Sequence, residues 1–256
     1  MIVAIIQTRM GSTRLPGKVM KIIDSEYTVL DYVISQLRNC KTLDKIIIAT
    51  TTLAEDDIIF EYAEKKGIEC FRGSSDDVLD RHYQCAKKFS CTDIVRIPSD
   101  KPLIDPTIVD DIVNEYKQKS CDYISNFLTE TFPNGTEIEI FSFSTLEKAW
   151  NGAKKPSERE HVVPYIINHP EIFQLENFAN SENFSSLRYV VDRKEDLELV
   201  KKIVSKINHR PILMKDIIQI YRNEPELFEL NKNIDRHEGE LKSAKEDERF
   251  LNDVKP

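Results

Sequence analysis

The sequence contains neither a GxxxxGK[ST] segment nor a GxGxxG segment, so the two best-known glycine-built phosphate cradles are missing. No D-x-D triplet occurs, which removes the paired-acid signature of many sugar-nucleotide glycosyltransferases. Cysteine is sparse: Cys40, Cys70, Cys85, Cys91 and Cys121 form no CxxC pair, and their odd number completes no disulfide framework. They read as reduced thiols in a reducing compartment, without the ligand spacing of a metal cluster. The opening apolar run, Ile2 to Ile6, is too short for a signal region or a membrane span, so a cytoplasmic location is expected. Positive charge is also short. A formal net charge of −8 argues against nonspecific nucleic-acid binding, which needs a basic surface, yet leaves room for a locally positive pocket. Internal repeats and low-complexity linkers are absent.

What is present is an alternation. With 256 residues, 40% hydrophobic and 31% charged, the chain suits one large soluble domain that needs no disulfide or structural metal. Ile2-Val3-Ala4-Ile5-Ile6, the run from Lys45 to Thr50, Glu69 to Arg72 and Asp93 to Ile97 read as strands, the longer runs being of the type buried on both faces. Between and after them, helical patterns occupy residues 28–40, 54–66 and 76–89, and another begins at Asp105-Pro106. Strand alternating with helix implies right-handed crossovers and a mostly parallel sheet. The pattern changes after Cys121. Asn134-Gly135 is a hairpin signal, and residues 137–141 alternate with period two, which predicts an antiparallel insertion. Helices are expected at 142–151 and 158–168, and a strand at 187–191 with a charged helix after it. Residues 1–222 then form a single α/β domain with an inserted subregion at about 121–168. Residues 223–256 form a charged extension with few core contacts.

The chemistry concentrates in the loop after the first strand, Arg9-Met10-Gly11-Ser12-Thr13-Arg14-Leu15-Pro16-Gly17-Lys18. In an open parallel sheet, ligands bind at the carboxyl ends of strands, where this loop begins. Gly11 lets backbone N–H groups approach an anion, and Arg9, Arg14 and Lys18 match the charge of a triphosphate. The same residues also describe a solvated basic loop with a type II turn at Pro16-Gly17. A triphosphate brings a divalent cation, and Mg²⁺ takes a few carboxylates together with phosphate oxygens and water. Asp100 and Asp192 each follow a strand-like run directly, which predicts both at the same sheet edge as the loop. Each also reads as a turn or helix cap.

R-x-G-S-x-R-x-P-x-K after an amino-terminal strand resembles the signature of the cytidylyltransferases that activate acidic sugars. These include the CMP-sialate and CMP-Kdo synthetases and, more closely, the spore-coat polysaccharide cytidylyltransferase-like proteins. Arg9, Gly11, Ser12, Arg14, Pro16 and Lys18 match it. Pro98-Ser99-Asp100-Lys101-Pro102-Leu103 is similar to the family's G-D-x-P-L-I-D-P element, and Val191-Asp192 with Asp196-Leu197 to its V-D-x-x-x-D-L element. Ser99 stands where the family has Gly, and Lys101 where near relatives have a small residue or Cys. The resemblance implies a three-layer α/β nucleotidyltransferase fold with a seven-stranded mixed sheet. It further implies that Arg9, Arg14 and Lys18 are the catalytic cations, that Gly11 and Ser12 wrap the phosphates, and that Asp100 and Asp192 ligate Mg²⁺, with Asp196 capping a helix.

Further constellations extend this reading. Phe71 to Arg81 resembles a family element near the nucleobase and ribose, which implies nucleotide contacts for Arg72, Ser74 and Asp77; a capped helix with a surface Asp77–Arg81 pair explains the same string. Glu137 and Glu139 share one face of a predicted strand, either to recognise hydroxyls or simply as an exposed face. Arg159 and His161, in Ser157-Glu158-Arg159-Glu160-His161-Val162, match an E-R-E-H-V element of the spore-coat-like branch near the acceptor, and Lys101 is a further candidate for an acceptor anion. The expected reaction is in-line attack by an oxygen of a small anionic or sugar-like acceptor on the α-phosphorus of CTP, releasing pyrophosphate. A homodimer through the inserted subregion is expected by the same resemblance. A sugar-1-phosphate nucleotidyltransferase, a glycosyltransferase of the same fold and a noncatalytic nucleotide-binding module are the alternatives.

Overall fold

The computed structural model describes residues 1–236 and 238–253. In chain order the elements are β1 (Ile2–Gln7), β2 (Ile22–Asp24), β3 (Tyr27–Thr28), α1 (Val29–Leu37), β4 (Lys45–Thr51), α2 (Asp57–Lys66), β5 (Glu69–Gly73), α3 (Val78–Lys88), β6 (Asp93–Pro98) and α4 (Pro106–Gln118). They continue with β7 (Tyr123–Ser125), β8 (Glu139–Ser142), α5 (Phe143–Gly152), α6 (Pro156–His161), α7 (Pro164–Ile167), β9 (Leu175–Asn177), α8 (Lys194–Ser205), α9 (Met214–Asn223) and α10 (Glu238–Asp253). Local chemistry sets several starts. Thr28 and Asp31 form a reciprocal capping box on α1, Asp77 caps α3 through Asp80 N–H, and Asp105 caps α4 with Pro106 in its first turn. Gly67 ends α2 in the left-handed conformation that a side chain would disfavour.

Seven strands form one sheet in the order β5-β4-β1-β6-β8-β7-β9. Neighbours are parallel except around β8, which runs antiparallel to both β6 and β7. This is the mixed sheet that the resemblance implied. Side chains of β1 alternate between two cores: Ala4 and Ile6 pack with Leu30, Val33 and Val109 on one face, Val3 and Ile5 with Leu79, Ala86 and Leu146 on the other. Helices therefore cover both faces, and a third cluster joins α8 and α9 to the outer side of α1. From β1 the chain steps outward through β4 to β5, then returns to the opposite side of β1 as β6. That reversal leaves a crevice beyond the carboxyl ends of β1 and β6, the place where such sheets hold ligands.

Three expectations are corrected. Asn134-Gly135 does not turn a two-residue hairpin: β7 and β8 are joined by the long connection 126–138, in which Asn134 bridges Arg188. Gly135 adopts φ +120, and an added Cβ would lie 2.9 Å from Val190 N, so the glycine serves a close backbone approach. Residues 187–191 are extended but form no sheet strand; their amides bond to loops, Tyr189 N–H donating to Asn134 O and Val191 N–H to Asp100 O. The helix expected at 158–168 is broken at Val162, with φ 73, ahead of Pro164, which lacks an amide donor and disfavours helix before it. The charge-rich stretch after Asn223 adds Phe228 to the third cluster.

His82 on α3 is fully buried, with Nδ1 against Val78 O and Nε2 without a partner. Burial, reinforced by Arg96, depresses its pKa from 6.5 to about 3. Between those two values the unfolded chain binds a proton that the folded chain refuses, so stability falls as pH drops through that window. Urea unfolding from pH 7 to pH 4 should show a slope shallower for His82→Leu than for the parent by up to about 1.4 kcal/mol per pH unit. Equal slopes would show that His82 is protonated in the fold.

Candidate active site

The loop after β1 is held in shape by its own backbone. Met10 O accepts from Ser12 N–H at 2.8 Å and from Gly17 N–H at 3.0 Å, while Lys18 N–H donates to Leu15 O at 3.1 Å across Pro16-Gly17. Gly17 has φ 65, as the third position of a type II turn requires. Leu15 and Val19 are buried, and they flank the turn that projects Lys18. A third tie is Asp56, a buried carboxylate that accepts Met10 N–H at 2.6 Å and the Thr51 hydroxyl, pinning the loop to the end of β4. The basic loop is thus built into the sheet edge. Ser12 Oγ accepts from Leu15 N–H at 3.3 Å, and Arg9 and Arg14 are exposed.

Lys18 reaches both predicted acids. Its Nζ donates to Asp100 Oδ2 at 2.7 Å and to Asp192 Oδ1 at 2.5 Å, and Arg14 Nη2 donates to Asp192 Oδ2 at 2.9 Å. Asp100 sits in the turn after β6, where Ser99 N–H is still bonded to Gln7 O of β1. Asp192 is brought alongside by the 2.7 Å bond from Val191 N–H to Asp100 O. Burial raises the Asp192 carboxyl, but Lys18 and then Arg14 outweigh it and hold it down to about 2. For Lys18 burial works against the charge, and the two carboxylates reverse it, keeping the ammonium protonated. At neutral pH the centre is one ammonium between two carboxylates, rimmed by guanidinium.

Two residues that the sequence reading left without a site role hold Asp192 in place. Arg188 donates to both oxygens of the buried Asp196, at 2.9 and 3.0 Å, and stands 3.6 Å from Asp192. Asp196 also accepts Asp192 N–H at 3.0 Å and Arg193 N–H at 2.9 Å, so its helix-capping role, as expected, doubles as an anchor for Asp192. The signal was an arginine inside an apolar run, Leu187 to Val191, which needs a buried partner. Asp196→Ala is expected to cost about 3–5 kcal/mol in denaturant unfolding, because it strands a buried guanidinium. A loss below about 1 kcal/mol would mean that the pair carries little.

The remaining candidates separate. Arg159 donates to the Asp77 carboxylate and to Trp150 O, joining α6 to the cap of α3. Asp77 thus pairs with Arg159, while Arg81 is buried and donates to Ser74 O. Ser74 Oγ accepts Asp77 N–H, and Arg72 is engaged with Thr51 O, Leu53 O and Asp57. Glu139, on β8, is buried against Arg96, whereas Glu137 lies before that strand and is half-buried against Lys101 and Arg236, so the two do not share an exposed strand face. Lys101 donates to Glu137 O at 2.9 Å. His161 contacts Ser243 Oγ of α10 and lines the cavity that also contains Asp192. At Gly11 an added Cβ would lie 2.8 Å from Glu55 Oε1. Among the described residues no helix is long and apolar enough to cross a membrane.

A loop bearing cations after the first strand, facing two carboxylates across the reversal point of a mixed sheet, defines an α/β nucleotidyltransferase. More narrowly, the chain belongs to the cytidylyltransferase family, whose model matches residues 3–242. It is 34% identical to an uncharacterised protein of Methanocaldococcus jannaschii over 91% of this chain and 95% of that one. It is 32% identical to the spore coat polysaccharide biosynthesis protein SpsF of Bacillus subtilis, over 88% of this chain and 95% of its relative. A solved cytidylyltransferase from Leptospira borgpetersenii serovar Hardjo-bovis superposes with a TM-score of 0.85 at 34% identity, covering 89% of this chain and 96% of the other. The chain is therefore an enzyme of the nucleotidyltransferase class, as the first loop and the two acidic strings implied.

Proposed function

We propose that this enzyme transfers CMP from CTP to a small acidic or sugar-like acceptor and releases pyrophosphate, in the synthesis of surface polysaccharide or glycoconjugate precursors. The observation that carries the reading is the convergence of Asp100 and Asp192 on Lys18 Nζ, next to Arg14 and the glycine-bearing loop. In this reading Arg9, Arg14 and Lys18 hold the triphosphate, and Gly11 and Ser12 bring backbone amides to its oxygens. Arg72, Ser74 and Asp77, at the end of β5 and the start of α3, stand on the nucleoside side. The acceptor lies on the His161 side; Arg159 acts by tying α6 to Asp77, and Lys101, Glu137 and Glu139 shape the floor through their ion pairs.

The donor set fits Mg²⁺. Among the described residues no group of three or more His, Cys, Asp or Glu could hold a metal. Two carboxylates within one hydrogen bond of a common point suit a hard cation that completes its octahedron with phosphate and water. Asp100 and Asp192 would hold it, and it would offset charge on the phosphoryl oxygens. The flexible Lys18 stem can turn its ammonium from the carboxylates to the phosphates. Positioning and electrostatics then carry the rate, without a covalent enzyme intermediate. Dependence on CTP supports a cytoplasmic setting, and the resemblance of residues 121–168 to a dimerisation region supports a homodimer, which light scattering checks.

Pyrophosphate release should be measured with each of the four ribonucleoside triphosphates, Mg²⁺ and a panel of sugar acids and polyol phosphates. Release that requires CTP and an acceptor is expected. Absence of release with every triphosphate would overturn the reading.

A further inference from the structure

Past Asp192 the crevice continues toward the carboxyl-terminal residues. A cavity of about 140 Å³ is lined by Arg14, Arg188, Asp192, Asp235, Arg236, Glu238 and Gly239, with His161 at its wall. A second, of about 200 Å³, shares Arg188 and Arg236 and adds hydroxyl and amide groups from Asn134, Ser185, Ser186 and Asn231. The two chambers therefore meet at a pair of arginines, one from the segment before Asp192 and one from the chain's end.

This end of the chain is tied down from several sides. Asp247 of α10 accepts Ser157 N–H at 2.9 Å and Ser157 Oγ–H at 2.5 Å. Glu238 takes the Arg193 guanidinium at 2.7 and 2.9 Å. Arg236 donates to Ser185 O and pairs with both Glu130 and Glu137, each at 3.1 Å, and Glu137 in turn holds Lys101, the neighbour of Asp100. The roof of the cavity is thus connected through one ion-pair chain to the turn that carries a catalytic carboxylate.

We propose that Asn231, Arg236, Glu238 and Gly239 complete the acceptor cleft, and that Arg188 and Arg236 are its specificity-determining residues, seating the anionic group of a polyhydroxylated acceptor beside Asp192. This rests on the nucleotidyl-transfer reading above. The inner chamber presents charged side chains, imidazole and one glycine, an environment in which an apolar acceptor leaves polar groups desolvated and unpaired. Hydroxyls match its alternating guanidinium donors and carboxylate acceptors. Arg188 spends Nε and Nη2 on Asp196, Arg14 spends Nη2 on Asp192, and Arg236 spends Nη1 on Ser185 O and Glu130 and Nη2 on Glu137, which leaves Arg188 Nη1, Arg14 Nη1 and Arg236 Nε to face a ligand anion. Two of the three acids of the lining already hold cations from outside it, Asp192 holding Lys18 and Glu238 holding Arg193. An acceptor held there lies next to the centre that receives the nucleotide.

Gly239 supplies a steric test, since a Cβ added to it meets nothing within 4 Å, so a large side chain enters open space. In the full-length enzyme, Gly239→Phe is expected to raise the acceptor KM at least about tenfold, with the CTP KM within about twofold. Arg236→Met is expected to raise KM for carboxylate and phosphate acceptors about ten- to a hundredfold, the scale of one charge-assisted hydrogen bond. KM for the matching neutral polyols should stay unchanged, and comparing hexuronates with polyol phosphates identifies the anionic group that is read. Acceptor KM values unchanged in Gly239→Phe, or equal losses for charged and neutral acceptors in Arg236→Met, overturn the proposal. Failure of the underlying reaction shows separately, as a parent enzyme that releases no pyrophosphate. Calorimetric titration of a hexuronate and of glycerol 3-phosphate then decides. Binding to the parent but not to Gly239→Phe supports the cleft, whereas equal binding to both, or none to the parent, refutes it.

Discussion

Asp192→Asn and Asp100→Asn are each expected to lower the turnover of CTP by at least about 10²-fold, the scale of losing one group that stabilises developing charge. The substitution keeps size and hydrogen-bonding capacity, so the packing of Val191 and of the turn after β6 should survive, with unchanged circular dichroism. What disappears is one negative charge at the point where Lys18 and Arg14 hold the carboxylate oxygens and the proposed cation would bind. The Mg²⁺ concentration giving half-maximal rate should rise in both variants, because each removes half of the protein's anionic ligand set. Pyrophosphate release at near-parental rate by either variant, with the fold intact, would remove that carboxylate from the metal assignment. Asp192 is expected to be the more sensitive position, since it also orders Arg14 and stands beside Arg188.

Lys18→Met should be nearly as damaging to the rate, about 10²–10³-fold, and informative in a second way. Methionine keeps the length of the stem and removes the cation that lies within hydrogen-bond distance of both acids. Two largely buried carboxylates then face each other without a counter-charge, so the variant should melt lower in chelator by on the order of 5 °C. Added Mg²⁺ should recover more stability in Lys18→Met than in the parent, because it supplies the missing positive charge to the same pair. If Mg²⁺ raises the melting temperature of both proteins equally, the carboxylates do not share a cation site. The rate and the thermal shift report different things: transition-state charge in the first, ground-state repulsion in the second.

Several elements were legible because their signals are local. The apolar run of β1, the Asp-Pro start of α4 and the glycine that ends α2 each act within a few residues, through burial, capping and backbone conformation. The loop from Arg9 to Lys18 was readable as a basic loop at the sheet edge because its charge and its position after a strand are both sequence properties. The segment from Leu187 to Val191 shows the opposite case. Its composition is that of a strand, yet its amides find Asn134 and Asp100 instead of a sheet neighbour, and no period in the chain encodes which partner wins. Glu137 and Glu139 likewise alternate like strand residues in the sequence, yet only Glu139 lies on β8, and the ion pairs of both depend on Lys101, Arg236 and Arg96 arriving from elsewhere.

Residue order alone was enough to specify a doubly covered α/β sheet, a cationic loop at its edge and two acids following extended segments, because hydrophobic period, capping and charge act over short stretches of chain. Folding in three dimensions settled the rest. It placed Asp192 against Asp100 by one backbone hydrogen bond, gave Asp196 and Arg188 the task of holding it, and brought Arg236 over the cleft. Those choices depend on which side chains meet across long separations in the chain, and burial rewards a buried charge only where a partner of opposite sign is already in place.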